Sequence, residues 1–567
     1  MKKIQQIIKS LIVFFLLAYI SQSCKKSELA SLNTKPGNLT DAPPASLFLN
    51  AINNSQGNFE YYYDFNRFLF PIAQIFSNNG LKGVSNGTLT DGNSNQSRYS
   101  RFFSPTVGVG NYVADAEREF YVYYNSTEQA ARVSWVPEFR ILKAYYAFNT
   151  SDVYGNIPYT QAFKAKEGIL RPAFDTQQDL FDTLDAQLKS AVATLKTVGS
   201  SEITLGEYDQ FYGTKSDQVQ KWIKAANALR LRIAMRLMKQ SPSKLAAIAA
   251  DVLSDASGLM SSNDDSWVFQ PPASFWGGSG NWDPLSAGAK GFKGSIDFMW
   301  NNSDPRIRNF YQQNNYSQAN INTAIAAGKI PSGTTESPRR YVGSYASPDA
   351  VNNAANSRLY NTIVVNSSLT LDTLSTIQDR LISPYNNGGN GRGTFVMISY
   401  ADECFMRAEL AVRGITTEDA QSLYNAGITA SIQMFDGIAS LADVYNYTSL
   451  GATEISNYLN TTDVKFNAAN ALEQITTQAY INFFLQPNEA WALLKRTGYP
   501  NAATKLVYET FMIGGSAAPY PRRFSMSVPS VSDDNYANEK ASMDEMTANP
   551  DFGVPADNSG RVWWDKK

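Results

Sequence analysis

The sequence predicts a mainly α fold, with paired helices packed against an irregular, loop-rich half. Three observations carry this expectation. Apolar residues recur at helical spacing through 133–255 and again through 396–496. Between them, residues 258–395 are dominated by glycine, asparagine, serine and aromatics, with no long helical pattern. Several helical stretches also follow one another across short connections, so that each helix buries its face on the next.

The chain opens with Lys2, Lys3 and Lys9, the apolar run Leu11–Ile20, and Ser21-Gln22-Ser23 before Cys24. A bilayer core needs about 20 apolar residues, so this shorter run reads as a cleaved secretory signal over residues 1–23. A cysteine at the cleavage point resembles the lipobox of bacterial lipoproteins, although Ser21 stands where a strict lipobox has an aliphatic residue. Cys24 is therefore the expected lipidation site. Residues 24–46 carry Pro36, Pro43 and Pro44 and read as a tether, followed by a single body over 47–567.

Asn50–Phe76 is aromatic-rich, and residues 78–100 read as a polar loop. Asp91-Gly-Asn93-Ser-Asn95 begins like a calcium loop. Gln96 replaces the turn glycine and Phe102 the closing glutamate, so a polar turn is expected instead. Glu138–Phe148 gathers Phe139, Leu142, Tyr145 and Tyr146 on one face. Asp175 and Gln178 read as a capping box for a helix continued by Leu180, Leu184, Leu188 and Leu195. Ser216 reads as the next cap. Beyond it Trp222, Ala226, Leu229, Ile233 and Leu237 step by threes and fours, with Arg230, Arg232 and Arg236 on the other faces. Leu245, Ile248 and Val252 repeat the pattern after Pro242. Ser399–Val412, Glu418–Phe435, Leu472–Phe484 and Glu489–Arg496 supply the second set. Such pairs stack in the manner of tetratricopeptide units, though no clean repeat of about 34 residues is visible.

Composition narrows the function. Without the three lysines of residues 1–23, the 49 basic residues fall to 46 against 51 acids, a net charge of −5. No basic excess points to nucleic acid. Mean hydropathy is −0.30. The chain has no histidine, which excludes a Ser-His-Asp triad, a Cys-His pair and histidine-ligated metals. Cys404, with Cys24 lipidated, has no partner and reads as a small buried hydrophobe. Neither a metal nor a cofactor is expected.

Several fragments, taken in order, resemble the SusD/RagB family of outer-membrane lipoproteins. They are Asp152-Val-Tyr154-Gly155-Asn156-Ile157-Pro158-Tyr159, Asp304-Pro305-Arg306, Tyr400-Ala-Asp402-Glu403 with Ala408-Glu409-Leu410, Glu489-Ala-Trp491 with Arg496-Thr497-Gly498-Tyr499-Pro500, and Pro521-Arg522-Arg523 with Asn535 and Glu539. The resemblance is to the SusD-like, starch-binding branch. It implies tetratricopeptide-like helix pairs (an α-α superhelix) against a ligand-facing half. It also implies a non-catalytic, surface-exposed protein, lipid-anchored in the outer membrane. Such a protein captures oligosaccharides, or in some members peptides, and delivers them to a SusC-like TonB-dependent transporter over which it acts as a lid. Residues 25–28 (Lys-Lys-Ser-Glu) lack the acidic cluster often seen after the cysteine of surface-exposed members.

A sugar ring offers an apolar C–H face to a flat aromatic, and hydroxyls to amides and carboxylates. Trp267, Trp276, Trp282 and Trp300 crowd into the glycine-rich region, and Trp276-Gly-Gly-Ser-Gly-Asn281-Trp282-Asp283 alternates aromatics with small and polar residues. Trp276, Asn281, Trp282 and Asp283, with Trp267 and Trp300, are the first candidate site; core packing is the competing account. Tyr62, in the Tyr61–Tyr63 run, and Asn78 form a second. Asp304 and Arg306 read as a structural ion pair, and Trp222 and Trp491 as core. An exported glycosidase is the remaining alternative. It needs two facing carboxylates from Asp264, Asp265, Asp283, Asp304, Asp402 and Glu403, and the adjacent Asp402 and Glu403 point apart on a helix.

Overall fold

A computed structural model describes residues 42–55, 61–77, 82–90, 97–271, 288–382 and 392–567. Cys24 and the signal and most of the tether lie outside these residues, as does the Asp91–Asn95 loop. In chain order the longer elements are α1 (Pro44–Ser55), α2 (Val109–Tyr123), α3 (Trp135–Tyr154), α4 (Gln177–Leu195), α5 (Gln218–Arg236) and α6 (Pro242–Leu253). Then come β1 (Trp267–Phe269), α7 (Lys293–Asn301), α8 (Gln318–Ala326), β2 (Thr362–Val364), β3 (Thr370–Asp372) and β4 (Phe395–Ile398). The chain closes with α9 (Tyr400–Val412), α10 (Ala420–Leu441), α11 (Ala471–Asn482), α12 (Pro487–Thr497) and α13 (Tyr536–Thr547). Residues 44–567 form one compact unit.

Each of α1 to α6 packs on the next, and α9 packs on both α10 and α11. The expected stripe of α4 is buried, with Leu180, Leu184, Leu188 and Leu195 at most 1% exposed. Each such leucine contributes about 1.5–3 kcal/mol. Two helix starts differ from expectation. The α4 cap is Thr176, whose Oγ1 accepts from the Asp179 amide at 3.2 Å. Asp175 is occupied elsewhere, accepting from the amides of Tyr159 (2.7 Å) and Thr160 (2.9 Å). At α5 the cap position falls to Asp217, without a side-chain cap bond, rather than Ser216. The start of α9 is a capping box, in which Ser399 Oγ accepts from the Asp402 amide and Asp402 accepts from the Ser399 amide.

The arginines of α5 are buried, not merely turned to other faces. Arg236 donates to Asp152 at 2.9 and 3.1 Å and to Glu489 at 2.9 Å. Arg232 donates to Asp402 at 2.7 Å and to the Met397 carbonyl at 2.7 Å. These bonds tie the first helical stack to α9 and α12. Only dense pairing makes such burial tolerable, because an unpaired interior charge costs several kcal/mol.

The Asp152–Tyr159 turn is architectural. Gly155 ends α3 at φ 85°, and a Cβ there would lie 2.9 Å from Met546 Sδ. The tail closes over the same region. Trp564 donates its amide to Gln177 Oε1 at 3.1 Å and its indole N–H to the Asp152 carbonyl at 3.0 Å. Lys495 Nζ lies between the Trp491 and Trp564 rings, 3.6 and 4.7 Å from their centroids. Cys404 is fully buried, and burial pushes its thiol up to about 12. Among the described residues no helix is long and apolar enough to cross a membrane.

Candidate ligand-binding face

The irregular half is organised by one short strip, residues 289–293. The Ser77 amide donates to the Lys290 carbonyl, and the Lys290 amide to Ser77 Oγ, both at 2.9 Å. The Gly291 amide donates to the Ser375 carbonyl at 3.1 Å, and that of Ile377 to the Ala289 carbonyl at 3.3 Å. On the other side the Ser344 amide donates to the Gly291 carbonyl at 2.9 Å, and that of Lys293 to the Ser344 carbonyl at 2.7 Å. Three distant stretches thus meet on one strip without a regular sheet. Two glycines permit the approach. A Cβ on Gly343 would sit 2.5 Å from Lys293 Cα, and one on Gly291 2.5 Å from the Tyr311 ring.

Described residues that border two stretches singled out in the sequence meet on this strip. Ser77 immediately precedes Asn78, and residues 288–290 follow the stretch holding Trp276, Asn281, Trp282 and Asp283. The other border of that stretch is held by β1, antiparallel to β4 with Phe269 opposite Phe395. Trp276, Asn281, Trp282, Asp283 and Asn78 themselves lie outside the described residues. Tyr62 belongs to a π-helical segment, Tyr61–Leu69.

Trp267 and Trp300 have different fates. Trp267 is fully buried, its ring 5.1 Å from Tyr145, 5.3 Å from Trp222 and 5.7 Å from Phe211. A ring with no accessible face cannot stack on a sugar, so Trp267 belongs to the core. Trp300 is half-buried and sits on α7, where the sequence showed no helix. Tyr341 lies 6.1 Å from its centroid, and the Arg339 guanidinium 6.0 Å. Asp297 on the same helix pairs with both Arg339 and Lys293.

Two residues that sequence reasoning passed over stand beside the strip. Tyr345 and Tyr360 are half-buried, and the Tyr345 amide donates to Tyr360 Oη at 3.3 Å. Lys82 donates to the Tyr360 carbonyl at 3.0 Å and lies 5.2 Å from its ring. Nearby, Glu509 accepts from the amides of Ala346 (3.1 Å) and Ser347 (3.0 Å). Burial raises its carboxyl above the usual range in spite of those bonds. The only available signal was the aromatic content of 258–395.

Five of the six carboxylates offered for a hydrolytic pair are committed to structure, and the sixth, Asp283, lies outside the described residues. Asp304 is fully buried and accepts from Arg306 at 2.7 and 2.9 Å. Asp402 faces Arg232, whereas Glu403 accepts from Arg407 and the Met260 amide at 3.2 Å. Asp264 pairs with Lys215 and Lys221. Asp265, despite the cost of its burial, is held down to about 2 by hydrogen bonds from Lys224, Ser261 and Lys221. Among the described residues no three potential metal ligands converge.

A family model described as "starch-binding associating with outer membrane" matches residues 37–524. The chain belongs to the SusD-like family. No curated protein matches it. Solved structures similar to this SusD-like chain include one titled a chitin-binding protein, at 21% identity and a TM-score of 0.68, covering 92% of this chain and 100% of that one. A SusD homologue from Bacteroides fragilis gives 19% identity and a TM-score of 0.65 over 92% and 100%. A chitin-binding SusD homologue from Flavobacterium johnsoniae gives 19% and 0.60 over 92% and 99%. The SusD-like fold accounts for the tetratricopeptide-like succession α1–α6 and α9–α12. Membership in the family also assigns the protein to the outer membrane.

Proposed function

We propose that this protein is a non-catalytic, surface lipoprotein of the outer membrane, anchored through Cys24. It captures an oligosaccharide on the face above the 289–293 strip and passes it to a SusC-like TonB-dependent transporter. The observation that carries the reading is the Ser77–Lys290 pairing, which places the borders of two aromatic-polar stretches, distant in sequence, side by side. Trp276 and Trp282 are the proposed stacking platforms, with Asn281, Asp283 and Asn78 as hydrogen-bonding partners and Tyr62 and Trp300 at the periphery. The family description names starch, and two similar structures are titled chitin-binding, so both glycan classes are the first to try. The commitment of Asp264, Asp265, Asp304, Asp402 and Glu403 to ion pairs supports binding over hydrolysis.

The test is calorimetry with malto- and chito-oligosaccharides, a peptide digest serving as the competing ligand class. Trp276→Ala and Trp282→Ala are each expected to weaken glycan binding about tenfold while leaving the circular dichroism spectrum unchanged. Peptide binding without glycan binding would overturn the ligand class. Unchanged glycan affinity in both variants would overturn the site.

A further inference from the structure

A cleft of about 270 Å³ lies between the start of α4, the end of α13 and the tail. None of its lining residues belongs to the 289–293 strip or its neighbours. The space is an open cleft, with exposed Gln178, Asp179, Glu545 and Asn549 along its rim. It falls just short of the ~300 Å³ at which sites for drug-sized ligands begin.

Its walls combine two kinds of surface. Trp563, Phe552 and Met546 are the apolar part. Trp563 is half-buried, with its ring edge-on to Phe181 at 6.3 Å. Its indole N–H donates to no group among the described residues. The polar part includes two acids, Glu545 and Asp179, with Gln178 and Arg561 beside them. Glu545 is oriented by Asn156, whose Nδ2 donates to its Oε2 at 2.6 Å. Asn156 is fixed in turn, because its Oδ1 accepts from the Gln177 amide at 2.8 Å. Glu545 and Gln178 are both exposed, and Oε1 of Glu545 and the Gln178 side-chain amide have no protein partner among the described residues, which leaves them open to a ligand at the rim. Arg561 is held against Asp565 at 3.2 Å.

A positioned carboxylate, a free amide and a free indole N–H beside an apolar wall make a mixed donor and acceptor set. Acidic groups at the wall disfavour an anion. Arg561 disfavours a bare cation. The set suits hydroxyl groups, which both donate and accept, on a ring with an apolar face. We propose that this cleft is a second binding site, taking a single neutral sugar ring. It rests on its own lining residues, so it and the strip-side site stand or fall separately.

The probe is a panel of glucose, galactose and N-acetylglucosamine, titrated into the full body and followed by saturation-transfer NMR. At least one sugar is expected to bind in the millimolar range, as suits a ligand of this size. Trp563→Ala is expected to weaken it about tenfold, and Gln178→Ala, at an exposed position, about threefold. The Trp276→Ala/Trp282→Ala double variant is expected to keep full monosaccharide binding at this site while losing oligosaccharide capture. The proposal fails if no sugar of the panel binds, if Gln178→Ala and Trp563→Ala both leave binding unchanged, or if the double variant abolishes monosaccharide binding. Glycinamide binding in place of every sugar also overturns it, by showing an amine site.

Discussion

Replacing Arg236 with Met is expected to cost about 3–5 kcal/mol. Arg236 is 3% exposed and serves two carboxylates, Asp152 and Glu489. Methionine keeps much of the packing against Phe148 and Trp564, whose centroids lie 5.3 Å from the guanidinium. The loss is therefore electrostatic. Glu489 retains Arg232 at 3.8 Å, but Asp152 is left buried without its cation. The unit spans about 520 residues, and ~2.1 cal/mol/K per residue makes its unfolding entropy ~1.1 kcal/mol/K. Calorimetry should accordingly show the melting temperature falling by about 3–5 °C. Adding Asp152→Asn and Glu489→Gln removes the stranded charges and should recover at least half of the loss. A melting temperature within about 0.5 °C of the wild type for Arg236→Met alone, or no recovery in the triple variant, would refute the account of α5 as a charge-paired core helix.

Other expectations follow from the same geometry. Burial pushes Glu403 up to about 7 against its ordinary 4.5, outweighing Arg407 and the Met260 amide. The folded chain then holds the proton more tightly than the unfolded one. The contribution of Glu403 to stability should fall as pH rises from 4.5 to 7, and Glu403→Gln should remove that part of the slope, gaining up to about 3 kcal/mol at pH 8 relative to the wild type in urea titrations. Gly343→Ala drives a Cβ into the Lys293 backbone and should cost about 1–3 kcal/mol, with glycan affinity falling as the strip shifts. The Cys404 thiol, fully buried and raised to about 12, should resist iodoacetamide at pH 8 in the native protein and react once urea unfolds it, as read by peptide mass mapping.

Local patterns were legible in the sequence and long-range ones were not. The leucine stripe of α4 and the Ser399–Asp402 start of α9 are set by residues three or four apart, and both were readable. Asp175 and Ser216 were plausible caps, but each lost its place to the next residue. For Asp175 the cause was competition from Tyr159 and Thr160 amides 15 and 16 residues away. The burial of Arg236 depends on partners 84 and 253 residues distant, and no periodicity reports that. Nor does alternation mark the 289–293 strip, whose Ser77 contact spans 213 residues. Trp267 and Trp300 looked alike as aromatics among glycines. One entered a ring cluster with Trp222 and the other a helix face, a distinction made only by tertiary packing.

The bonds made by Trp564 have a consequence for the timing of folding. Its partners Asp152 and Gln177 were laid down 412 and 387 positions earlier. Until that tryptophan arrives, the Asp152 carbonyl and the Gln177 amide oxygen face water, and Lys495 has one aromatic wall instead of two. Contacts of such separation form late, because loop closure must come before they are rewarded. A chain emerging in order from its synthesis therefore lacks these two bonds of its first helical stack until the tail is in place. The final turn of the tail acts as a latch on a half that has been waiting almost since the start.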